Sequence, residues 1–119
     1  MQLARIILRV SDLDAASRFW NVTVGLVVVG GGGTFQFLDG RGVQLALNEV
    51  SDQAPDTSLT EIVFEVDDIQ KAYSEMAARG VPFEVEPRAV MPDGERELWA
   101  AHFRDPDGHL ASVTGWVSR

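Results

Sequence analysis

The sequence predicts an α+β chain built from two tandem βαβββ modules, each a strand, a helix and three further strands. Three observations predict it. Two runs rich in Ile, Leu, Val and Phe, at residues 2–10 and 59–66, lead straight into aspartate-marked helix starts. At those junctions Val10-Ser11-Asp12-Leu13 recurs as Val66-Asp67-Asp68-Ile69. Later in each half Asp39-Gly40 recurs as Asp107-Gly108, both times just before a final strand.

The elements follow in order. Residues 2–10 read as a strand, and Ser11-Asp12-Leu13-Asp14 supplies the capping residues of a helix. Ala15, Ala16, Phe19 and Trp20 keep a helical spacing, and Gly25 ends the helix by admitting a left-handed turn. Residues 26–29 form a short strand, closed by Gly30-Gly31-Gly32-Gly33. A phosphate-binding glycine loop needs a helix after it, whereas residues 34–38 are another strand, so the glycines are read as a flexible hairpin. After the Asp39-Gly40 turn, residues 42–48 alternate Val43, Leu45 and Leu47 with Gln44, Ala46 and Asn48 as a half-buried strand does. Residues 49–58, with Pro55 and several Asp, Ser and Thr, are a polar crossover loop.

The second module repeats the plan. Residues 59–66 are a strand and Asp67-Asp68 a cap, and Ile69, Ala72, Tyr73, Met76 and Ala77 mark one helix face. Gly80 and Pro82 stop that helix. Residues 83–90 are a strand in which Pro87 marks an edge or a bend. The turn Pro92-Asp93-Gly94, a strand at 97–104, the turn Asp105-Pro106-Asp107-Gly108 and a strand at 110–117 complete the chain. The expectation is one domain over residues 1–119, with module one at 1–50 and module two at 57–119. Neither half alone buries much apolar surface, so the two should complete one another.

Composition narrows the function. A hydrophobic content of 45% with 24% charged residues is that of a globular domain rather than a disordered chain. A net charge of −8, with Lys71 the one lysine, opposes approach to a phosphate backbone, so nucleic acid is excluded as a partner. The apolar runs are too short to cross a membrane, and the first residues read as a strand rather than a signal peptide. The absence of cysteine removes disulfides, thiolate nucleophiles and cysteine-held metals, and suits the cytoplasm, the location expected here.

A duplicated chain with this punctuation resembles the vicinal-oxygen-chelate superfamily, that of glyoxalases, bleomycin resistance proteins and dioxygenases. The first half matches through Leu8-Arg9-Val10-Ser11-Asp12-Leu13, Phe19-Trp20 and Val24-Gly25-Leu26. The second matches through Phe64-Glu65-Val66-Asp67-Asp68, Gly80-Val81-Pro82 and Phe103-Arg104-Asp105-Pro106-Asp107-Gly108. The resemblance covers nearly the whole chain. It implies a curved, incompletely closed eight-stranded sheet around a cavity, commonly in a homodimer. It says little about the reaction, because the fold hosts many chemistries.

Metal-dependent members hold an ion with one side chain from the first and one from the last strand of each module. The resemblance places those positions at Arg5, Gln44, Glu61 and Ser112, where members with intact sites carry His, Gln or Glu. Gln44 and Glu61 each offer an oxygen, but Ser112 is a weak neutral donor. Arg5 has no lone pair and brings a positive charge where an ion would sit. No metal and no other cofactor is therefore expected. His102 and His109 fall at no ligand position and are read as solvated or packed.

The resemblance also brings Arg5 and Glu61 together as a charge-assisted pair near the cavity centre. Strand parity puts Arg9 on the face of Arg5, and Glu65 on that of Glu61. Arg9 resembles a position that contacts an anionic substrate group in glyoxalases. The pair is either a relic filling the old metal hole or a ligand contact. Trp99 and Phe103 share one face of their strand, and Leu98, Ala100 and His102 share the other. Trp99 either walls the cavity for a planar ligand or packs against a helix.

Two functions lead, and a degenerate paralogue or oligomerisation module with no ligand stays open beside them. One is a metal-independent small-molecule-binding protein of the bleomycin-resistance kind, sequestering an antibiotic or metabolite, with Arg5, Arg9, Gln44, Glu61, Trp99 and Ser112 as ligand contacts. The other is a metal-free lyase or isomerase in which Glu61 or Glu65 is the general base and Arg5 or Arg9 stabilises the developing anion. An arginine partner would make Glu61 the poorer base of the two.

Overall fold

The computed structural model describes residues 1–50, 57 and 60–119, and the chain divides into two compact units, Met1–Thr57 and Ser58–Arg119. Each unit holds one four-stranded sheet. In the first, β1 (Arg5–Val10), β2 (Val28–Gly32), β3 (Phe35–Asp39) and β4 (Gln44–Glu49) lie in the order β1-β4-β3-β2. In the second, β5 (Glu61–Glu65), β6 (Phe83–Asp93), β7 (Arg96–Arg104) and β8 (Leu110–Ser118) lie in the order β5-β8-β7-β6. In both, the first strand runs parallel to the last and the other pairs are antiparallel. The predicted order of elements is thus the observed one. Most of the crossover loop expected at residues 49–58 lies outside the described residues.

The repeated helix starts behave alike. Asp12 caps α1 (Leu13–Ser17) by accepting from the Ala15 N–H, and Asp68 caps α2 (Ile69–Ala78) by accepting from the Lys71 N–H. The helices then part ways. After α1 the chain widens into a π-helical stretch, Arg18–Val24, in which the Trp20 carbonyl accepts from both Gly25 and Leu26. That stretch contains the β-branched run Val22-Thr23-Val24, poorly suited to a tight α-helix. Gly25 ends it at a φ of 101°, as the sequence led one to expect.

Two expectations shift. The glycine run does not cap a strand at residue 29 but forms its second half, since β2 continues through Gly32. Gly31 is required there, because a Cβ would come 2.7 Å from the Phe35 carbonyl oxygen. On the other side of the chain, β6 runs on through Pro92 and Asp93, so the turn moves to residues 94 and 95. Pro87 sits in this edge strand beside a register shift between Val85 and Arg88, where its missing N–H costs no ladder bond.

Each sheet packs one face on its own helix. In the first unit that face carries Leu8, Val10, Leu38, Leu45 and Leu47, buried with Trp20 and Ala16. In the second it carries Ala101, Phe103, Ala111 and Val113, with Ile69 and Met76 of α2. Tyr73, Phe83 and Phe103 form a chain of rings with centroids 4.7 and 5.5 Å apart. Gly115 of β8 lets α2 approach, since a Cβ there would meet the Cβ of Ile69 at 3.0 Å. The alternation of strand side chains leaves a second face in each unit, turned away from its helix, and the functional candidates lie there.

Candidate functional site

In the first unit, register sets three rows across the helix-free face. Arg5 stands opposite Gln44 and Gln44 opposite Asp39; then come Ile7, Ala46 and Phe37; then Arg9, Asn48 and Phe35. Arg5 donates from Nε to Oε1 of Gln44 at 3.3 Å, and its guanidinium carbon lies 5.4 Å from the centroid of Phe37. Arg5 and Arg9 are exposed, and among the described residues neither has a carboxylate partner. Asn48 accepts from the Thr34 hydroxyl at 2.7 Å. Beside the first row is a cleft of about 350 Å³ lined by Gln2, Ala4, Arg5, Asp39, Gly42, Val43 and Gln44.

In the second unit the corresponding face carries Glu61, Val63 and Glu65 of β5, Ser112 and Thr114 of β8, and His102 of β7. Glu61 is paired in register with Leu110, and its carboxylate reaches diagonally to Ser112, whose hydroxyl donates to Oε2 at 3.0 Å. His102, directly opposite Ser112, brings Nε2 to 3.8 Å from the same oxygen. Its other nitrogen, Nδ1, is buried and has no hydrogen-bond partner among the described residues. A proton on Nδ1 would be an unsatisfied buried donor, which favours the tautomer protonated at Nε2, facing Glu61. Glu65 is exposed beside Thr114.

The predicted residues therefore gather into two groups, Arg5, Arg9 and Gln44 in one unit and Glu61, Glu65 and Ser112 in the other. The partners described for Arg5 and Glu61 lie inside their own units. Trp99 leaves the site. With Ala101 and Phe103 it occupies the helix-packed face of β7, and its indole N–H donates to Glu97 at 3.0 Å. Strand alternation permitted either face; the packing of Phe103 against Phe83 decides it.

Sequence reasoning missed His102 as a neighbour of Glu61. The signal was present in the hairpin: a turn at residues 105–109 pairs His102 with Ser112 on one face. His109 is packed, as one of the two readings had it. It is buried with Nδ1 2.7 Å from Asp105 Oδ2, inside the turn that it helps to close.

The donor set at the four positions that the resemblance assigns to metal ligands does not fit a divalent ion. Gln44 Oε1 already faces a guanidinium N–H, and Arg5 offers no lone pair. Glu61 Oε2 is already engaged by the Ser112 hydroxyl, itself only a weak neutral donor. Among the described residues no group of three or more His, Cys, Asp or Glu is placed to hold a metal ion.

Comparison with known proteins matches residues 2–113 to the family model described as the glyoxalase/bleomycin resistance protein/dioxygenase superfamily. Among solved structures, a glyoxalase/bleomycin resistance protein/dioxygenase from Nocardioides superposes with a TM-score of 0.78 at 21% identity, covering 98% of this chain and 84% of that one. An integron cassette protein from V. cholerae gives 0.76 at 20% identity over 97% and 94%. A lactoylglutathione lyase from Agrobacterium tumefaciens gives 0.72 at 21% identity over 94% and 91%. Likeness at such identities speaks for the fold. Among the described residues no helix is long and apolar enough to cross a membrane.

Proposed function

The chain belongs to the glyoxalase/bleomycin resistance protein/dioxygenase superfamily, and on that premise we propose that it binds a small organic anion without the aid of a metal ion. One observation carries the reading: the Arg5 guanidinium donates to Gln44, and the family resemblance assigns both positions to metal ligands. A cation fixed to the protein then does the work of attracting the ligand's negative group, with Arg9 on the same face as a second anchor. Phe37 and Ile7 offer apolar surface alongside. Sequestration of an antibiotic or metabolite fits this arrangement, because binding needs charge and shape and no reactive group. The proposal includes a homodimer in the cytoplasm, the first of which light scattering on the purified protein measures.

A second reading draws on Glu61. A carboxylate with an imidazole 3.8 Å away on a partly exposed face has the components of proton transfer, and makes a metal-free lyase or isomerase the alternative. The Ser112 hydroxyl already donates to Oε2, so a substrate proton would have to compete for that oxygen, which favours binding over catalysis.

The experiment is a thermal-shift screen against antibiotics and small carbonyl acids, with product analysis of each hit. Ligand recovered unchanged, with its stabilisation lost in Arg5→Ala and Gln44→Ala, is the expected result. Conversion of a hit that disappears in Glu61→Gln would establish the enzyme. Hits that bind Arg5→Ala as well as they bind the natural chain would remove Arg5 from the site.

A further inference from the structure

The cleft beside Arg5 holds a charge of each sign. Arg5, Gln44 and Asp39 stand in one row on neighbouring strands, so the two charged residues flank Gln44 about 10 Å apart at their Cα atoms. They are not joined as an ion pair, and among the described residues neither has another charged partner. Asp39 Oδ1 accepts from the Arg41 N–H at 2.8 Å, and no described residue engages Oδ2. The turn that presents Asp39 is tightly built. Arg41 takes a φ of 59° and Gly42 a φ of 120°, and a Cβ on Gly40 would collide with the Val43 carbonyl. A carboxylate held in this way loses little freedom when a ligand arrives.

We infer that this cleft takes a small zwitterion, its carboxylate on Arg5 and its ammonium on Asp39. The inference rests on the reading of Arg5 as an anion anchor and adds the second half of the ligand. Overall charge supports it. A net charge of −8 slows the approach of any anion that Arg5 would hold, whereas a zwitterion carries no net charge and meets complementary groups at both ends. Gln44 lies between the two, and Ala4 and Val43 furnish apolar wall for a short methylene spacer. A volume of about 350 Å³ suits a molecule of amino-acid size.

The test is a two-dimensional NMR titration with glycine, β-alanine and γ-aminobutyrate, set against the half-ligands acetate and methylammonium. At least one zwitterion should bind about tenfold more tightly than acetate, equivalent to about 1.4 kcal/mol. The amide shifts should fall on residues 39–44. Asp39→Asn keeps an oxygen for the Arg41 N–H, so the turn survives while the charge is lost. It should weaken the zwitterion about tenfold and leave acetate unchanged or tighter. Arg5→Gln should weaken both. Zwitterion binding that ignores Asp39→Asn yet falls in Arg5→Gln overturns this inference and spares the anion anchor. Binding that ignores Arg5→Gln overturns the anchor and the inference with it. If no member of the series binds the natural chain more tightly than acetate, the inference fails.

Discussion

The two units share one backbone plan and carry opposite charges at matching places. Arg5 and Arg9 lie on β1 where Glu61 and Glu65 lie on β5, each pair four residues apart on the helix-free face. In both units a side-chain bond ties the first strand to the last, but its direction reverses. Arg5 donates to Gln44 in the first unit, and in the second Ser112 donates to Glu61. The register differs as well, for Arg5 faces its acceptor directly while Glu61 reaches its donor diagonally. The lesson is a division of labour between faces. The helix-packed face holds each unit together, so the other face is free to change its chemistry after duplication.

If that division is right, the largest losses come from the helix side in both units. Phe103→Ala and Trp20→Ala each remove a side chain that is fully buried, and each should cost about 3–5 kcal/mol. Urea denaturation measures it. A cost under about 1 kcal/mol in one unit and not the other would break the comparison.

The turns before the last strands sharpen it next. Asp105 is buried, and its carboxylate accepts from the His109 and Asp107 N–H groups and pairs with the His109 ring. Asp39 accepts from the Arg41 N–H in an exposed turn. Asp105→Ala should therefore cost about 2–4 kcal/mol, because it strands buried polar groups, and Asp39→Ala about 1 kcal/mol or less. Equal costs would mean that the two turns are closer relatives than their hydrogen bonds imply.

The helix caps should be alike. Asp12→Ala and Asp68→Ala each remove one bond to the N–H three residues on, and about 1 kcal/mol is expected from each. The π-helical stretch gives an added reading. If it weakens its helix as a whole, fraying by Asp12→Ala should be the greater by circular dichroism.

Much of this fold was legible because its signals are local. Cap residues act within one turn and strand alternation within a few residues, so Asp12, Asp68 and the order of all the elements could be read directly. What escaped depends on contacts distant in sequence. The face of Trp99 is chosen by Phe103 meeting Phe83, and the extent of β2 by Gly31 lying against Phe35. The diagonal reach of Glu61 follows from a register that the repeat did not reveal, since the repeat aligned Ser112 with Gln44 while the strands set Leu110 opposite Glu61. His102 was overlooked because the site was sought at inherited positions, and a neighbour on the next strand belongs to none of them.

The smallest effects belong to the side-chain bonds that distinguish the units. Ser112 is 1% exposed and its partner carboxylate is only partly so, with 41% of the Glu61 side chain open to solvent. Removing the hydroxyl in Ser112→Ala should cost about 1 kcal/mol, since water can replace only part of what Glu61 loses. Arg5→Ala acts on an exposed bond of 3.3 Å, where water replaces the partner readily, so about 0.5 kcal/mol or less is expected. Stability that barely responds to Arg5→Ala, together with ligand affinity that does, would place this residue's worth in binding alone. A loss of 2 kcal/mol or more on removing Arg5 would instead make the guanidinium a structural prop of the sheet, and the opposite charges of the two units a matter of folding.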